Sequence, residues 1–385
     1  MQRALRAAVV AAAAATAAAA GAAAQSSSAA PATSSYLAAA AAAPAATITL
    51  DGGAPSQAYD GHGGLSAGAS SRLLIDYPEP QRSQILDYLY KPSFGANLHQ
   101  CKIEIGGDTQ STDGTEPSYK HFREEVPQCG TNRGYEMWLL SEAAKRSPDV
   151  KSYLLSWGIP NWVGNASYFS AENIEYQVGY AKCVQQTVGG THPHYIGIWN
   201  ERSWGSIDYV VSLRNALDAA GLAATKIIVP DGGDCGGVTA AAAANASFAS
   251  AVYALGEHYP CRNACPRTAE VGLKFWASED FSTVADWAGA GCWGRSLNQN
   301  WVILNSTATI SWSTIWAVYP EDSYYGNGLM CTYGQTRRRP PPPTDPSPHP
   351  ASIASARHPA SIASRAPLTP ALAQTPSGPG PATTR

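Results

Sequence analysis

The sequence predicts a (β/α)8 barrel, an α/β fold in which eight parallel strands close on themselves with helices between them. Apolar or β-branched runs of strand length alternate with segments of helical periodicity between residues 47 and 333. This alternation is typical of a parallel sheet with crossover helices. An open, doubly wound sheet is the alternative, but no Gly-x-Gly-x-x-Gly sequence follows an early strand to bind a dinucleotide.

The predicted elements follow one another in regular order. A glycine-weakened first strand is expected at 63–69. Seven further strands are expected at 99–105, 152–157, 195–199, 226–230, 252–255, 274–278 and 309–318. Helical spacing of apolar residues predicts helices at 81–90, 134–146, 174–188 and 207–222. Side chains at the carboxyl ends of barrel strands line the active site, so the polar residues at those ends are the candidates for function.

Low-complexity segments flank the predicted barrel. Residues 1–25 combine two arginines with an alanine-rich apolar run and small residues for cleavage, which predicts a secretory signal peptide; an organelle transit peptide is the alternative. Residues 26–46 are almost all Ser, Ala, Pro and Thr and predict a disordered linker. Residues 334–385 predict a disordered tail rich in Arg, Pro, Ser and Ala.

Charge and cysteine usage limit the possible partners and compartments. The whole chain has a net charge of −3, and residues 51–336 hold 18 basic and 28 acidic residues, a net charge of −10. This balance argues against nucleic-acid binding. The N-terminal apolar run is too short and too rich in alanine to predict a membrane span. Eight cysteines and three glycosylation sequons, at Asn165, Asn245 and Asn305, favour the secretory pathway.

One short cysteine pair raises the question of a metal. Cys261 and Cys265 lie close to His258 in sequence, and these are residue types that bind zinc. The second cysteine pair or histidine cluster that a zinc site needs does not accompany them. No metal site is therefore predicted.

Two carboxylates follow predicted strands four and seven. Glu201 comes after the strand at 195–199, and Glu279 comes after the strand at 274–278. Side chains at these strand ends would face each other across the barrel mouth, where one acid can protonate a leaving oxygen while the other attacks the anomeric carbon. Asn200, which precedes Glu201, is placed to hydrogen-bond a sugar 2-hydroxyl. The alternative is that both are surface acids paired to neighbouring cations.

Other chemistries have less support, and the aromatic content fits a sugar site. No His-Glu-x-x-His sequence and no Walker loop occurs, and His258 is expected to be structural or part of a subsite. The chain has 11 Trp and 19 Tyr, whose flat rings can stack on a pyranose. Trp157 closes predicted strand three and Trp312 lies in predicted strand eight; core packing is the alternative role for either one.

These residues resemble the galactosylceramidase (galactocerebrosidase) family of glycoside hydrolases. The most specific matches are Lys-Ile-Glu-Ile-Gly-Gly-Asp at 102–108, Trp-Asn-Glu-Arg-Ser at 199–203 and Ser-Glu-Asp-Phe-Ser-Thr at 278–283. Further matches lie at 71–74, 77–80, 82–89, 112–118 and 289–295, so the resemblance covers about residues 60 to 330. It is more specific than the two carboxylates alone.

The resemblance implies a role for each matching residue. Glu201 corresponds to the acid/base of the family and Glu279 to its nucleophile. The residues that line the galactose pocket in the family correspond to Thr112, Trp157, Asn200, Trp312 and, in a shortened loop, Tyr325. No metal and no other cofactor is implied.

The resemblance also implies a substrate, a partner and a compartment. The family is retaining, removes β-galactose from galactosylceramide-like sphingolipids, receives its lipid from a saposin-type activator, and works in the lysosome. The match ends near residue 330, so we expect a barrel truncated at its C-terminal end, without the β-sandwich and lectin-like domains of the family. In the family, the cysteine that corresponds to Cys292 pairs with a later cysteine beyond the matching segment. Cys292 is therefore expected to be unpaired or to have a different partner. A related β-glycosidase with another substrate and an inactive sugar-binding remnant are the alternatives.

Overall fold

In a computed structural model of the protein, the described residues are 52–53, 57–68, 70–112, 114–281, 287–318 and 328–333. Within them, eight parallel strands form a closed barrel in sequence order, and the first strand pairs with the eighth to complete it. The predicted fold is therefore confirmed. The predicted signal peptide, linker and tail, and Tyr325, lie outside the described residues.

The barrel strands agree closely with the predicted runs. They are β1 (Gly61–Ser66), β2 (Gln100–Ile105), β3 (Lys151–Ser156), β4 (Tyr195–Gly197), β5 (Lys226–Gly232), β6 (Val252–His258), β7 (Lys274–Asp280) and β8 (Ser306–Trp312). The run at 309–318 is not one strand, because the chain turns after Trp312. β9 (Ile315–Val318) then pairs with β10 (Met330–Tyr333) in a separate two-stranded parallel sheet.

Helices lie between the strands. They are α1 (Gln81–Tyr90), α2 (Glu136–Arg146), α3 (Ala171–Val188), α4 (Ile207–Ala219), α5 (Cys235–Ala244), α6 (Ala246–Ala251), α7 (Thr268–Val271) and α8 (Trp287–Leu304). Side-chain caps fix four of the starts in the described part of the chain; Ser170, for example, accepts from the amide of Asn173 and Ser206 from that of Tyr209. No helix among the described residues is long and apolar enough to span a membrane.

The barrel interior is filled rather than hollow. Its centre is an aromatic cluster that includes Tyr153, Tyr195 and Trp276, all fully or almost fully buried. At the amino ends of the strands, Asp60 accepts hydrogen bonds from Lys274 Nζ (2.8 Å) and Trp276 Nε1 (2.9 Å). This end is therefore closed by side chains, and the opposite end is left to bind ligands.

Two disulfides join elements on the outside of the barrel. Cys129 is bonded to Cys183 of α3, and Cys235 of α5 is bonded to Cys265. Cys292 is free.

Candidate active site

Four neighbouring strands supply the polar side chains of the barrel mouth. Glu201 follows β4, Asp231 lies in β5, His258 ends β6, and Glu279 lies near the end of β7. Because these strands are adjacent and parallel in the barrel, their carboxyl ends bring residues distant in sequence into one cluster. The predicted strand positions of both glutamates are confirmed.

The two glutamates face one another closely. Three atoms lie within 4.8 Å of one another: one carboxylate oxygen of Glu201, one carboxylate oxygen of Glu279 and a ring nitrogen of His258. The environments differ, because the Glu279 side chain is 5% exposed and that of Glu201 is 53% exposed. At this separation, one carboxyl can attack the carbon of a C–O bond while the other protonates its oxygen.

The backbone holds Glu201 in place. The amide of Asn200 donates to the carbonyl of Ser156 (2.9 Å), and the amide of Glu201 donates to the carbonyl of Asp231 (3.1 Å). Glu201 takes a left-handed conformation with φ of 50°, which turns its side chain off the strand direction. A non-glycine residue in this conformation is uncommon and is typical of functional sites.

Tyr259 holds Glu279 at two points. The Tyr259 hydroxyl donates to Glu279 Oε1, and the Tyr259 amide donates to the Glu279 carbonyl at 2.8 Å. Burial raises the pKa of Glu279 above its ordinary value, while the charges of His258 and Lys102 and the Tyr259 hydroxyl act in the opposite direction. These contacts favour the ionised carboxylate that a nucleophile needs.

His258 contacts carboxylates with both ring nitrogens. Its Nε2 lies 2.9 Å from Asp231 Oδ1, and its Nδ1 lies 3.3 Å from Glu201 Oε1 and 3.6 Å from Glu279 Oε2. Burial alone would lower the pKa of His258, but the charge of Glu279 and hydrogen bonds to Asp231 and Glu201 raise it to about 9. The ring is therefore an imidazolium at neutral pH.

A buried ion pair lies beneath His258. Lys102 Nζ of β2 donates to Asp231 Oδ1 (2.9 Å) and to the carbonyl of Ser278 (3.0 Å), and both charged side chains are fully buried. The Tyr153 hydroxyl donates to the other oxygen of Asp231. Burial would raise the pKa of Asp231, but the Lys102 charge and the His258 hydrogen bond hold it well below its ordinary value.

Metal binding can be judged from the same donors. Glu201, His258 and Glu279 could hold a cation by distance alone. With Nε2 donating to Asp231, a metal would have to replace the proton on Nδ1, and this imidazolium already supplies positive charge between the carboxylates. The zinc arrangement with Cys261 is not formed, because Cys265 is bonded to Cys235.

The predicted sugar-binding residues that the structure describes lie around the same mouth. Trp157 and Trp312 are half-buried and pack on one cluster at the ends of β1 and β8. Thr112 lies against Gly68, where an added Cβ would come within 2.5 Å of the Thr112 Cβ. The backbone links Asn200 to β3 just before Trp157, and the buried Asn200 Oδ1 has no hydrogen-bond partner among the described residues. Tyr325 is not among the described residues.

Sequence reasoning identified the two glutamates but missed their supporting residues. His258 was expected to be structural or part of a subsite and lies between the glutamates, whereas Lys102 and Asp231 were not considered. A usable signal was present, since Lys102 is a charge inside an apolar strand and Asp231 follows an apolar run at a strand end. Lys274, the cation nearest in sequence before Glu279, does not serve as the neighbouring cation of the alternative interpretation, because it binds Asp60 at the other end of the barrel.

Comparison with known proteins identifies a family. A family model described as glycosyl hydrolase family 59 matches residues 59–334. Galactocerebrosidase from Macaca mulatta is 43% identical over 291 residues, covering 74% of this chain and 42% of the relative. Galactocerebrosidase from Salmo salar is 44% identical over 281 residues, covering 71% and 41%. The chain thus spans about two fifths of the length of these relatives, and the predicted resemblance is confirmed.

Solved structures share the fold at low sequence identity. SrfJ from Salmonella typhimurium is 14% identical with a TM-score of 0.59, and 72% of this chain and 70% of that chain are covered. The catalytic domain of the family 30 xylanase C from Talaromyces cellulolyticus is 18% identical with a TM-score of 0.52, covering 68% and 69%. These likenesses support the barrel architecture.

Proposed function

This chain belongs to glycosyl hydrolase family 59, and we propose that it removes β-galactose from galactosylceramide-like sphingolipids with retention of configuration. The observation that carries the proposal is the close approach of the two acids: one carboxylate oxygen of Glu201 lies within 4.8 Å of one carboxylate oxygen of Glu279. Retaining glycosidases hold their two carboxyl groups about 5–5.5 Å apart, whereas inverting enzymes leave about 6.5–9.5 Å for a water molecule. The short separation supports a double displacement.

The contacts and exposure of the two acids support the division of roles between them. Tyr259 and His258 hold Glu279 in place and favour its ionised form against the effect of burial, which suits a nucleophile. Glu201 is half exposed, which suits an acid/base that protonates the leaving group and then exchanges with water. We therefore assign Glu279 as nucleophile and Glu201 as acid/base.

The reaction proceeds in two balanced steps. A Glu279 carboxylate oxygen attacks the anomeric carbon while the bond to the lipid oxygen breaks and Glu201 gives that oxygen its proton. The lipid alcohol leaves, and galactose stays bound as an ester of Glu279. Water then gives a proton to Glu201 and attacks the anomeric carbon, which releases galactose and restores the Glu279 carboxylate.

The substrate assignment rests on the family and the pocket residues. The relatives named above are galactocerebrosidases, and the matching sugar-contacting positions are Thr112, Trp157, Asn200 and Trp312. Half-buried indole rings and an unpartnered buried amide oxygen suit a sugar with one apolar face and several hydroxyls. A saposin-type protein that presents the lipid is part of the proposal, by analogy with the family.

We also propose a secretory and lysosomal location. The two disulfides suit an oxidising compartment. Of the three sequon asparagines, Asn165 and Asn305 are exposed and open to glycosylation, whereas Asn245 uses its side-chain oxygen to cap α6.

Stereochemistry of the product tests the proposal. The full chain is incubated with an aryl β-galactoside, and the first sugar released is followed by proton NMR. We expect the β-anomer, and the α-anomer as first product would exclude retention. Glu279→Gln should lower kcat by at least about a thousandfold, whereas Glu270→Gln, an exposed glutamate paired with Arg267, should leave kcat unchanged. Equal turnover by Glu279→Gln and the parent chain would refute the role of Glu279.

A further inference from the structure

The ring of His258 contacts carboxylates on both sides. Nε2 lies 2.9 Å from Asp231 Oδ1. Nδ1 points between the two glutamates, 3.3 Å from Glu201 Oε1 and 3.6 Å from Glu279 Oε2. Ionised Asp231 and Glu279 only accept hydrogen bonds, so the two ring nitrogens that face them both need a hydrogen, whether or not Glu201 is protonated. A neutral ring would turn a lone pair toward one of these two acceptors. This arrangement therefore favours an imidazolium.

The double displacement moves negative charge between the two glutamates. Before the first step, Glu279 is ionised and Glu201 carries the proton. In the galactosyl-enzyme, Glu279 is an uncharged ester and Glu201 is ionised, so the pair keeps one negative charge that changes place. A cation whose donor nitrogen lies 3.3 Å from one acid and 3.6 Å from the other can stabilise both arrangements without moving.

The charges of the cluster balance around this cation. Lys102 and His258 contribute two positive charges, while Asp231 and the glutamate pair contribute two negative ones. Every one of these groups except Glu201 is buried, so an uncompensated charge would be costly. The Tyr153 hydroxyl occupies the second oxygen of Asp231, which leaves Oδ1 to Lys102 and His258.

From this arrangement, and resting on the function proposed above, we propose that Asp231 is a positioning residue that keeps His258 a fixed imidazolium shared by Glu201 and Glu279. Asp231 acts through the ring by accepting the hydrogen bond from Nε2, which fixes the ring plane and the proton on the far nitrogen. Lys102 in turn fixes the position and charge of Asp231.

The groups that face His258 come from five strands. They are Lys102 of β2, Glu201 after β4, Asp231 of β5, Glu279 of β7, and the two chain neighbours of His258 at the end of β6, Glu257 and Tyr259. The carboxylates raise the pKa of His258 to about 9, whereas burial and Lys102 act to lower it. Removing Asp231 and removing Lys102 should therefore have opposite effects on the His258 ring.

The experiment follows the ring resonances of His258 in the full chain by NMR, assigned by their loss in His258→Gln. Asp231→Asn should lower the His258 titration midpoint clearly below about 9, because the Asp231 hydrogen bond is one of the contacts that raise it. Lys102→Met should leave the midpoint at about 9 or raise it. If Asp231→Asn does not fold because one buried charge is left alone, Lys102→Met/Asp231→Asn removes both and should also lower the midpoint.

Activity supplies the second readout. Asp231→Asn should lower kcat by about ten- to a hundredfold with a smaller change in KM. Adding it to His258→Gln should cost little more than His258→Gln alone, because both act through one ring. Asp60→Asn is the matched control: it breaks the ion pair between buried Asp60 and half-buried Lys274 at the other end of the barrel, and it should lower the Tm without moving the His258 midpoint.

Two results would overturn the inference. One is a His258 midpoint that stays near 9 after Asp231 is neutralised, and the other is a fully additive loss of kcat in the double variant. Failure of the proposed function is a different result, seen as no hydrolysis of any β-galactoside by the parent chain. The ring titration needs no substrate and decides about Asp231 in that case as well.

Discussion

Tyr259 binds Glu279 twice, through its hydroxyl to Oε1 and through its amide to the backbone carbonyl at 2.8 Å. Tyr259 directly follows β6 and Glu279 lies near the end of the adjacent β7, so the side-chain contact is set by the register of the barrel. Tyr259 itself has φ of 47°, a conformation that bulky residues adopt rarely. A strained residue that fixes one oxygen of the buried acid fits the role of Glu279 as a held nucleophile.

Tyr259→Phe should shift the acid limb of the pH–rate profile upward. The hydroxyl favours the carboxylate form, so its loss raises the pKa of Glu279, and the nucleophile then ionises only at higher pH. We expect kcat to fall about tenfold or more at pH 4.5 and less at pH 7. Tyr253→Phe, whose hydroxyl donates to Asp60 at the closed end, should leave the profile in place. An unchanged acid limb in Tyr259→Phe would contradict the proposed contact.

Strand order and the positions of both glutamates could be predicted because local signals determine them. Apolar runs mark each strand, and the rule that function collects at carboxyl ends then selects Glu201 and Glu279. The split at residues 313–314 was missed because the run at 309–318 mixes Ile, Trp and Val with Thr and Ser, and no Gly, Pro, Asn or Asp marks where the barrel strand ends.

The supporting network could not be assembled from the sequence. Lys102 and Asp231 are 129 positions apart, and their contact depends on both pointing into one barrel. His258 ends a strand, but sequence alone does not show which strand ends face which. Its role follows only from the distances to its three carboxylate neighbours.

The fold should be more stable at acidic pH than at neutral pH. Three buried glutamates, Glu104, Glu116 and Glu136, lie near the ends of β1 and β2, and burial raises their pKa values, that of Glu104 to about 7. An acid whose pKa is raised on folding stabilises the fold fully below its unfolded value of 4.5, and the effect is lost as pH rises through about 7. Through Glu104 alone, the free energy of unfolding should fall by about 2 kcal/mol between pH 5 and pH 7.5.

Thermal unfolding at these two pH values measures the effect. The Tm of the parent chain should be higher at pH 5, and Glu104→Gln should narrow the difference because the amide cannot ionise. Glu175→Gln, on the exposed face of α3, serves as the control and should leave the difference unchanged. A Tm difference between pH 5 and pH 7.5 that is the same in Glu104→Gln as in the parent chain would contradict the assignment of Glu104 as protonated at pH 5.

The disulfide between Cys129 and Cys183 should contribute strongly to stability. It joins the long β2–α2 connection to α3 and closes a chain segment with a sequence separation of 54. Closing a loop of that length should stabilise the fold by about 4 kcal/mol through the entropy of the unfolded chain. Urea unfolding of Cys129→Ala/Cys183→Ala should show this loss, whereas Cys261→Ala, at an exposed free cysteine, should unfold like the parent.

Asn200 should recognise the 2-hydroxyl of the sugar. Its amide follows β4 directly before Glu201, and the buried Oδ1 has no partner among the described residues, so a ligand hydroxyl can complete it. Removing the 2-hydroxyl from an aryl β-galactoside should lower kcat/KM of the parent by about a hundredfold or more. Asn200→Ala should lose a similar factor on the intact substrate.

The comparison of both substrates with both proteins isolates the contact. If the amide acts through the 2-hydroxyl, Asn200→Ala should hydrolyse the 2-deoxy substrate almost as well as the parent does, because the interaction is already absent. Equal losses on both substrates would show instead that Asn200 acts only by holding Glu201, its neighbour in the chain. Glu201 is also held by the Asp231 carbonyl at 3.1 Å, a contact that Asn200→Ala leaves in place, so we expect the substrate-dependent loss.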